Sequence, residues 1–132
     1  YVNTPEDFLA WMKKPANIPV FLFRGKEAVG VAWLNGAADR HAYVHFFFLR
    51  AIRNKDVIGT GKLVIEYWMS FMNEGVPVFD VLLGIVPEPN ELAVNYVQKL
   101  GGIKVGTIPG MLNYMGKAVP AVILYYPRHT NE

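Results

Sequence analysis

A glycine-bearing turn is the segment whose residue types and spacing best suit ligand chemistry. It reads Asp56-Val57-Ile58-Gly59-Thr60-Gly61-Lys62 and lies between a predicted buried strand and a predicted helix. The start of a helix has backbone N–H groups without internal partners and carries a partial positive charge. Glycines let a phosphate approach those groups closely, and the charge of Lys62 suits a bound anion. The turn therefore predicts a site for a phosphate-bearing cofactor, with an ordinary strand-to-helix turn as the alternative.

Triphosphate and metal chemistry fit the chain less well. Leu63 stands where a P-loop has the Ser or Thr that binds magnesium, and Asp56 replaces the first glycine of that motif. His41 and His45 share one face of a predicted strand but stand about 13 Å apart, too far to chelate one ion. The third histidine, His129, lies in a polar tail. We therefore predict neither a triphosphatase nor a metal site.

The usual protein nucleophiles are scarce in this chain. It contains no cysteine, which excludes a thiol nucleophile, a thiolate metal site and a disulfide framework. The one serine, Ser70, lies inside a predicted helix, and no G-x-S-x-G pattern surrounds it. Any group transfer by this chain is therefore expected to proceed without an acyl-enzyme.

Composition predicts a single soluble domain over residues 1–132. Apolar residues make up 52% of the chain, which is enough for the core of one domain. The chain begins at Tyr1 rather than Met, which is compatible with further residues upstream. The net charge of +2 is too small to indicate a nucleic-acid partner, and no run approaches the roughly 18 apolar residues of a membrane helix. The lack of cysteine is compatible with a reducing compartment, so we expect a cytoplasmic location. The aromatic content of 14% fits a homodimer interface as well as a core.

Hydrophobic periodicity predicts nine elements that would position the turn. The first is a helix capped by Thr4 and stopped by Pro15. The others are strands at Val20–Phe23, Ala28–Leu34 and His41–Leu49, a helix at Gly59–Asn73, a strand at Val78–Val86, a helix from Asn90, and strands at Lys104–Leu112 and Val119–Tyr126. Turns are predicted at 24–27, at Asn35-Gly36 and at 113–117. The order α-β-β-β-α-β-α-β-β predicts an α/β fold of the mixed α+β kind, with helices packed on a mixed sheet.

A second motif fills the last predicted helix. From Asn90 to Gly102 the chain reads N-E-L-A-V-N-Y-V-Q-K-L-G-G. Together with the glycine turn, this run resembles the GNAT (Gcn5-related) N-acetyltransferase superfamily, in which a glycine turn follows the fourth strand and an N-x-x-A…Y-x-K-L-G-F-like helix comes later. Gly59 and Gly61 match the last two glycines of that turn. The residues that match the second motif in spacing are Asn90, Ala93, Lys99, Leu100 and Gly101.

The resemblance implies a fold, a cofactor and a reaction. The fold is an open mixed sheet splayed between two central strands, with helices on both faces, over roughly residues 1 to 126. The cofactor is acetyl-CoA, whose acetyl group would pass to a small-molecule or peptide amine by direct attack. The implied cofactor-binding residues are Phe48, Leu49, Arg50, Ile58, Gly59, Thr60, Gly61, Lys62, Asn90 and Ala93.

The main catalytic candidates are His45 and Asp80 as bases and Tyr96 as an acid. The attacking amine, with a pKa near 10.4, needs a base, and His45, His41 and Asp80 are candidates because they interrupt apolar strands. We place His45 and Asp80 first. Tyr96 is the phenol near the implied cofactor and is the candidate acid for the leaving thiolate.

Two departures from the family pattern keep other functions open. Asp56 stands where the family has Gln or Arg before the glycines. Val97 stands where the family commonly has the tyrosine that protonates the leaving thiolate. The alternative is a catalytically degenerate GNAT-like domain that binds acyl-CoA or serves as a protein-interaction or assembly module.

Overall fold

The computed structural model describes Glu6, Ala10 and residues 17–48 and 57–128. The strands are β1 (Ile18–Arg24), β2 (Glu27–Ala38), β3 (His41–Phe48), β4 (Met72–Asn73), β5 (Val76–Pro77), β6 (Val81–Pro87), β7 (Ile103–Tyr114) and β8 (Lys117–Pro127), and the helices are α1 (Val57–Met69) and α2 (Glu91–Lys99). Glu6 and Ala10 are helical. The rest of the helix predicted between Thr4 and Pro15 lies outside the described residues.

Six strands form a mixed sheet in the order β1-β2-β3-β6-β8-β7. The β3–β6 pair is parallel, and the other neighbours are antiparallel. This confirms the predicted mixed sheet and its α/β fold class. Both described helices pack on the same face of the sheet, which we call the helix face, because α1 and α2 contribute to one hydrophobic core.

The core lies between the sheet and the two helices. Trp68 of α1 is fully buried, together with Leu34 of β2 and Leu82 of β6. On β3, Phe48 is buried on the helix face, whereas Phe47 on the opposite face is 49% exposed. The strand that the sequence predicts to be buried is therefore half exposed on this face at Phe47.

The helix predicted at Gly59–Asn73 ends earlier than its apolar pattern indicates. The Ser70 hydroxyl donates to the Tyr67 carbonyl over 2.5 Å just after the last helical residue. Such a bond competes with the backbone pattern of a helix. The chain then forms the short β4–β5 hairpin, whose turn residues Glu74 and Gly75 both have positive φ. This tight turn needs left-handed backbone, which a continuing helix cannot provide.

The turn predicted at Asn35-Gly36 is also wrong. Strand β2 continues to Ala38, and its register with β3 shifts between Asn35 and Ala38. Gly36 has φ +61° and absorbs this bulge, and a Cβ there would lie 2.8 Å from the ring of Tyr43. The chain reverses instead at Asp39, which has φ 52°.

The turn predicted at 113–117 is present between β7 and β8. Its two central residues, Met115 and Gly116, both have positive φ, as a tight two-residue hairpin requires. Neither described helix has the length and apolar character needed to cross a bilayer.

Candidate functional site

The two parallel central strands separate along most of their length. The β3–β6 ladder contains three pairs and ends at Tyr43 and Leu83. Beyond that point β3 stays paired with β2 as far as Phe48, and β6 stays paired with β8 as far as Pro87. The sheet is therefore splayed between its two central strands, as the resemblance implies.

A cavity of about 230 Å³, which we call the splay cavity, lies in this gap. Side chains alternate across a strand, so both faces of the sheet contribute to its wall. Val44 and Val86 belong to the core of the helix face, whereas their sequence neighbours His45 and Ile85 face the other way. The wall of the cavity therefore includes side chains from both faces of the sheet.

His45 lies in the wall on the face opposite the helices. Its ring stacks on Trp33 with centroids 5.1 Å apart and planes inclined by 15°. Its Nε2 lies 3.0 Å from the Asn35 Oδ1. An amide oxygen only accepts, so Nε2 donates and Nδ1 is left as the acceptor of the neutral ring. Burial lowers the pKa of His45, which favours that neutral, basic form.

Tyr96 reaches the same cavity from α2, on the helix face. Its ring contacts Phe46 and Phe48 edge-on, with centroids 5.7 Å apart in each case. Its hydroxyl donates to the Val57 carbonyl over 2.6 Å, and burial raises its pKa. The phenol therefore ties α2 to the first turn of α1, and its proton is engaged in that bond.

The predicted glycine turn is the first part of α1. Ile58, Gly59 and Thr60 lie in its first turn, and the side chain of Lys62 is exposed. Gly61 has a different position, because it is buried and faces α2. A Cβ on Gly61 would overlap the Tyr96 hydroxyl and come within 2.8 Å of the Leu100 Cδ2. The packing of the two helices therefore requires that this residue have no side chain.

The start of α2 forms another part of the wall. Asn90 caps the helix by accepting a hydrogen bond at Oδ1 from the Ala93 N–H over 3.2 Å, as its sequence position predicts. Asn90 and Ala93 both line the splay cavity. Of the other implied cofactor residues, Phe48 ends β3, and Leu49 and Arg50 lie outside the described residues.

Asp80 lies away from the cavity, which corrects its assignment as a candidate base. It precedes β6 at the end where β3 and β6 are still paired, and Gly84 in the cavity wall is about 13 Å further along the strand. Its carboxylate accepts a hydrogen bond from Arg40 Nε and lies 3.8 Å from Arg128 Nε. The hydrogen bond from Arg40 lowers the pKa of Asp80 below its ordinary value. Asp80 is therefore a partner in surface ion pairs.

The other candidate base, His41, lies at the same paired end. It stands opposite Val81 in the ladder and makes an edge contact with Tyr43. Within the described part of the chain, no group of three or more His, Cys, Asp or Glu side chains could hold a metal ion.

Sequence reasoning missed three residues that bear on the chemistry of the cavity. Trp33 and Tyr126 line its wall, and Asn35 accepts the hydrogen bond that orients His45. Period-two alternation places Trp33 and Asn35 on the same face as each other, which is a usable signal. Tyr126 has no such signal, because a tyrosine in an apolar strand has the pattern of a core residue.

The comparisons with known proteins agree with this architecture. No protein-family model matches the sequence, and no curated protein matches it significantly. The fold is that of the GNAT N-acetyltransferases, as a search of solved structures shows. One neighbour is a single-site variant of the spermidine N-acetyltransferase SpeG from Vibrio cholerae, with TM-score 0.76 and 14% identity over 92% of this chain and 72% of that one. A dodecameric structure of the Vibrio cholerae enzyme has TM-score 0.74 and 14% identity, over 92% of this chain and 71% of that chain.

Proposed function

We propose that the chain is an acetyl-CoA-dependent N-acetyltransferase that transfers an acetyl group to an amine by direct attack. The observation that carries this proposal is the splay cavity, which has a neutral histidine in its wall on one face of the sheet and Tyr96 in its wall on the helix face. A gap lined from both faces suits two substrates that meet from opposite sides. Acetyl-CoA, when bound, supplies the acyl group as a thioester.

The residues around the gap fit such a ligand. Beyond Tyr43 the backbone of β3 has no ladder with β6, so the edge at 44–47 can pair with the amides of an extended chain. The start of α1 carries partial positive charge, and the exposed Lys62 adds a full charge, both suited to a pyrophosphate. We assign Phe48, Ile58 to Lys62, Asn90 and Ala93 to this ligand, together with Leu49 and Arg50, which lie outside the described residues.

His45 is the proposed general base. Its Nδ1 can accept a proton from the attacking amine, because the bond to Asn35 holds the proton of the neutral ring on Nε2. The stack on Trp33 fixes the ring plane. The lowered pKa keeps the ring neutral near pH 7, which is the state a base requires.

Direct attack is favoured over an acyl-enzyme. The chain has no cysteine, and the hydroxyl of Ser70 donates to the Tyr67 carbonyl at the end of α1. None of the described residues that line the splay cavity is a serine, threonine or cysteine. Among the described lining residues, the splay cavity therefore offers no serine, threonine or cysteine side chain to carry the acetyl group.

The acceptor is proposed to be an amine with an apolar or aromatic body. The wall on the His45 face includes the Trp33 ring, and none of the described lining residues is acidic. A polyamine carries several ammonium groups, which favour carboxylates around them. We therefore expect arylalkylamines and short peptides to be better acceptors than spermidine, the substrate named for the Vibrio cholerae neighbours.

A thiol-release assay with acetyl-CoA and a panel of primary amines tests the proposal. We expect at least one acceptor to release CoA, and His45→Gln to lower turnover by roughly a hundredfold or more. His41→Gln is the matched control, because it changes the same residue type on the same strand at the paired end. If no amine releases CoA, the enzymatic proposal is wrong. If His45→Gln keeps full turnover, the assignment of His45 as the general base is wrong.

A second candidate function is acyl-CoA binding without turnover. The observation that favours it is the Tyr96 hydroxyl, whose proton is engaged by the Val57 carbonyl. If Tyr96 is the only acid available, a bound thioester would lack a donor for its leaving sulfur. Saturable binding of acetyl-CoA with no release in the amine panel would select this function.

A further inference from the structure

Tyr126 of β8 is a buried phenol with no hydrogen-bond partner among the described residues. The residue is 3% exposed, and its hydroxyl is buried and makes no hydrogen bond to the part of the chain that the structure describes. A buried hydroxyl left unsatisfied destabilises the folded state, so such groups are rare and call for an explanation. Tyr126 lines the splay cavity, where a ligand could supply the missing partner.

Tyr126 also lines a second cavity. This cavity has a volume of about 240 Å³ and lies where the ends of α1 and α2 meet β8, with Glu66, Ser70 and Arg128 in its wall. Among the described lining residues, Tyr126 is the only one that the two cavities share. The phenol therefore separates the splay cavity from a crevice that contains polar, exposed groups.

The surroundings of Tyr126 keep its proton in place. Burial raises the pKa of the phenol, and the neighbouring Tyr96 phenol raises it further. At neutral pH Tyr126 is therefore a protonated donor. Tyr96 is also protonated, but its hydroxyl already donates to the Val57 carbonyl.

We propose that the Tyr126 hydroxyl donates a hydrogen bond to the leaving sulfur of the acyl thioester, and that the second cavity admits the water that supplies the proton for this sulfur. The inference rests on the proposed acetyltransferase function. The amine nitrogen forms a bond to the thioester carbonyl carbon, and the C–S bond breaks with its electron pair going to sulfur. The amine proton passes to His45. Because the phenol separates the two cavities, the sulfur takes its proton through the Tyr126 hydroxyl, which in turn takes one from water in the second cavity and leaves hydroxide. The His45 proton returns to solvent and neutralises that hydroxide, so Tyr126 and His45 are both unchanged over the cycle.

Tyr126→Phe tests this assignment, with Tyr125→Phe as the matched control on the opposite face of β8. The first measurement is calorimetric affinity for CoA and for desulfo-CoA, one pH unit above and one below the thiol pKa of about 8.5. In the parent chain we expect the ratio of the CoA affinity to the desulfo-CoA affinity to rise from the lower to the higher pH. The reason is that the thiolate of CoA accepts a charge-assisted hydrogen bond from Tyr126. This gain is limited to about tenfold by the free thiol pKa; Tyr126→Phe should abolish most of it, and Tyr125→Phe should keep it.

Two further measurements separate a role toward sulfur from a packing role. Removing an unpartnered hydroxyl should leave the Tm of the ligand-free chain unchanged or higher. Turnover should fall by at least about tenfold with the KM for the amine unchanged. A Tyr126→Phe variant that keeps the thiolate preference and the turnover would overturn the inference and leave the proposed function intact. A variant with a lower Tm and weaker binding of both ligands would also overturn it. A parent chain that binds neither CoA nor desulfo-CoA would instead refute the proposed function, and the inference with it.

Discussion

Replacing Gly61 with alanine should destabilise the fold, because Gly61 of α1 packs directly against side chains of α2 and its C-cap. The new Cβ would overlap the Tyr96 hydroxyl and lie 2.8 Å from the Leu100 Cδ2. The Tyr96 ring has little freedom to move away, since Phe46 and Phe48 contact it edge-on. The overlap is therefore expected to displace the hydroxyl and break its bond to the Val57 carbonyl.

The size of the effect follows from three contributions. Overpacking a buried contact costs about 1–3 kcal/mol, and a lost hydrogen bond costs about 0.5–1.5 kcal/mol. Alanine in place of glycine inside a helix favours folding by about 1 kcal/mol. The net loss in the free energy of unfolding is about 2 kcal/mol. For a chain of 132 residues, with an unfolding entropy of about 2.1 cal/mol/K per residue, this lowers Tm by about 7 °C.

A double-mutant cycle measured by thermal and denaturant unfolding tests the contact directly. Tyr96→Phe removes the hydroxyl and should relieve much of the overlap, so Gly61→Ala should cost about 1 kcal/mol less in that background. Gly106→Ala is the control, because a Cβ there meets no atom within 4 Å. Equal costs of Gly61→Ala in both backgrounds, or an unchanged Tm, would refute the reasoning.

Two further predictions concern pH. Burial lowers the pKa of His45, so turnover should fall with decreasing pH along a limb that lies below 6.5, and His45→Gln should lack that limb; a limb below 6.5 that His45→Gln retains would contradict the assignment. The unfolded chain binds the His45 proton more readily, so stability should also decline as pH falls below 6.5. Asp80→Asn should lower Tm at neutral pH and leave turnover unchanged, and its Tm should converge with that of the parent chain as pH falls through the lowered pKa of Asp80. A loss of turnover in Asp80→Asn at neutral pH would return Asp80 to the site.

The elements that were predictable from sequence have strong internal periodicity. The six long strands and the two described helices each lie where alternation or helical spacing indicates. The Asn35-Gly36 dipeptide misled the prediction because it suits both a hairpin turn and a bulge. Its packing against Tyr43 on the next strand decides between them, and local sequence does not contain that contact.

The site was less predictable because its residues acquire their roles from distant partners. Asp80 interrupts an apolar strand as a catalytic base would, but Arg40 and Arg128 are brought beside it by the sheet. Gly61 matches a phosphate-binding motif, but it packs against Tyr96 and Leu100, and the sequence does not reveal that contact. His45, predicted as a candidate base, lies in the wall of the splay cavity, and its polar partner there is Asn35.

Calorimetric titration with acetyl-CoA, using Gly84→Ala beside the parent chain, tests the central claim most directly. Gly84 lines the splay cavity, and a Cβ there would make only ordinary contact with Val97, at 3.6 Å. The account predicts saturable binding to the parent chain and weaker binding to Gly84→Ala at similar Tm, with Gly106→Ala binding as the parent does. No binding by the parent chain at millimolar acetyl-CoA, or equal binding by Gly84→Ala, would contradict the claim that the gap between β3 and β6 holds the acyl donor.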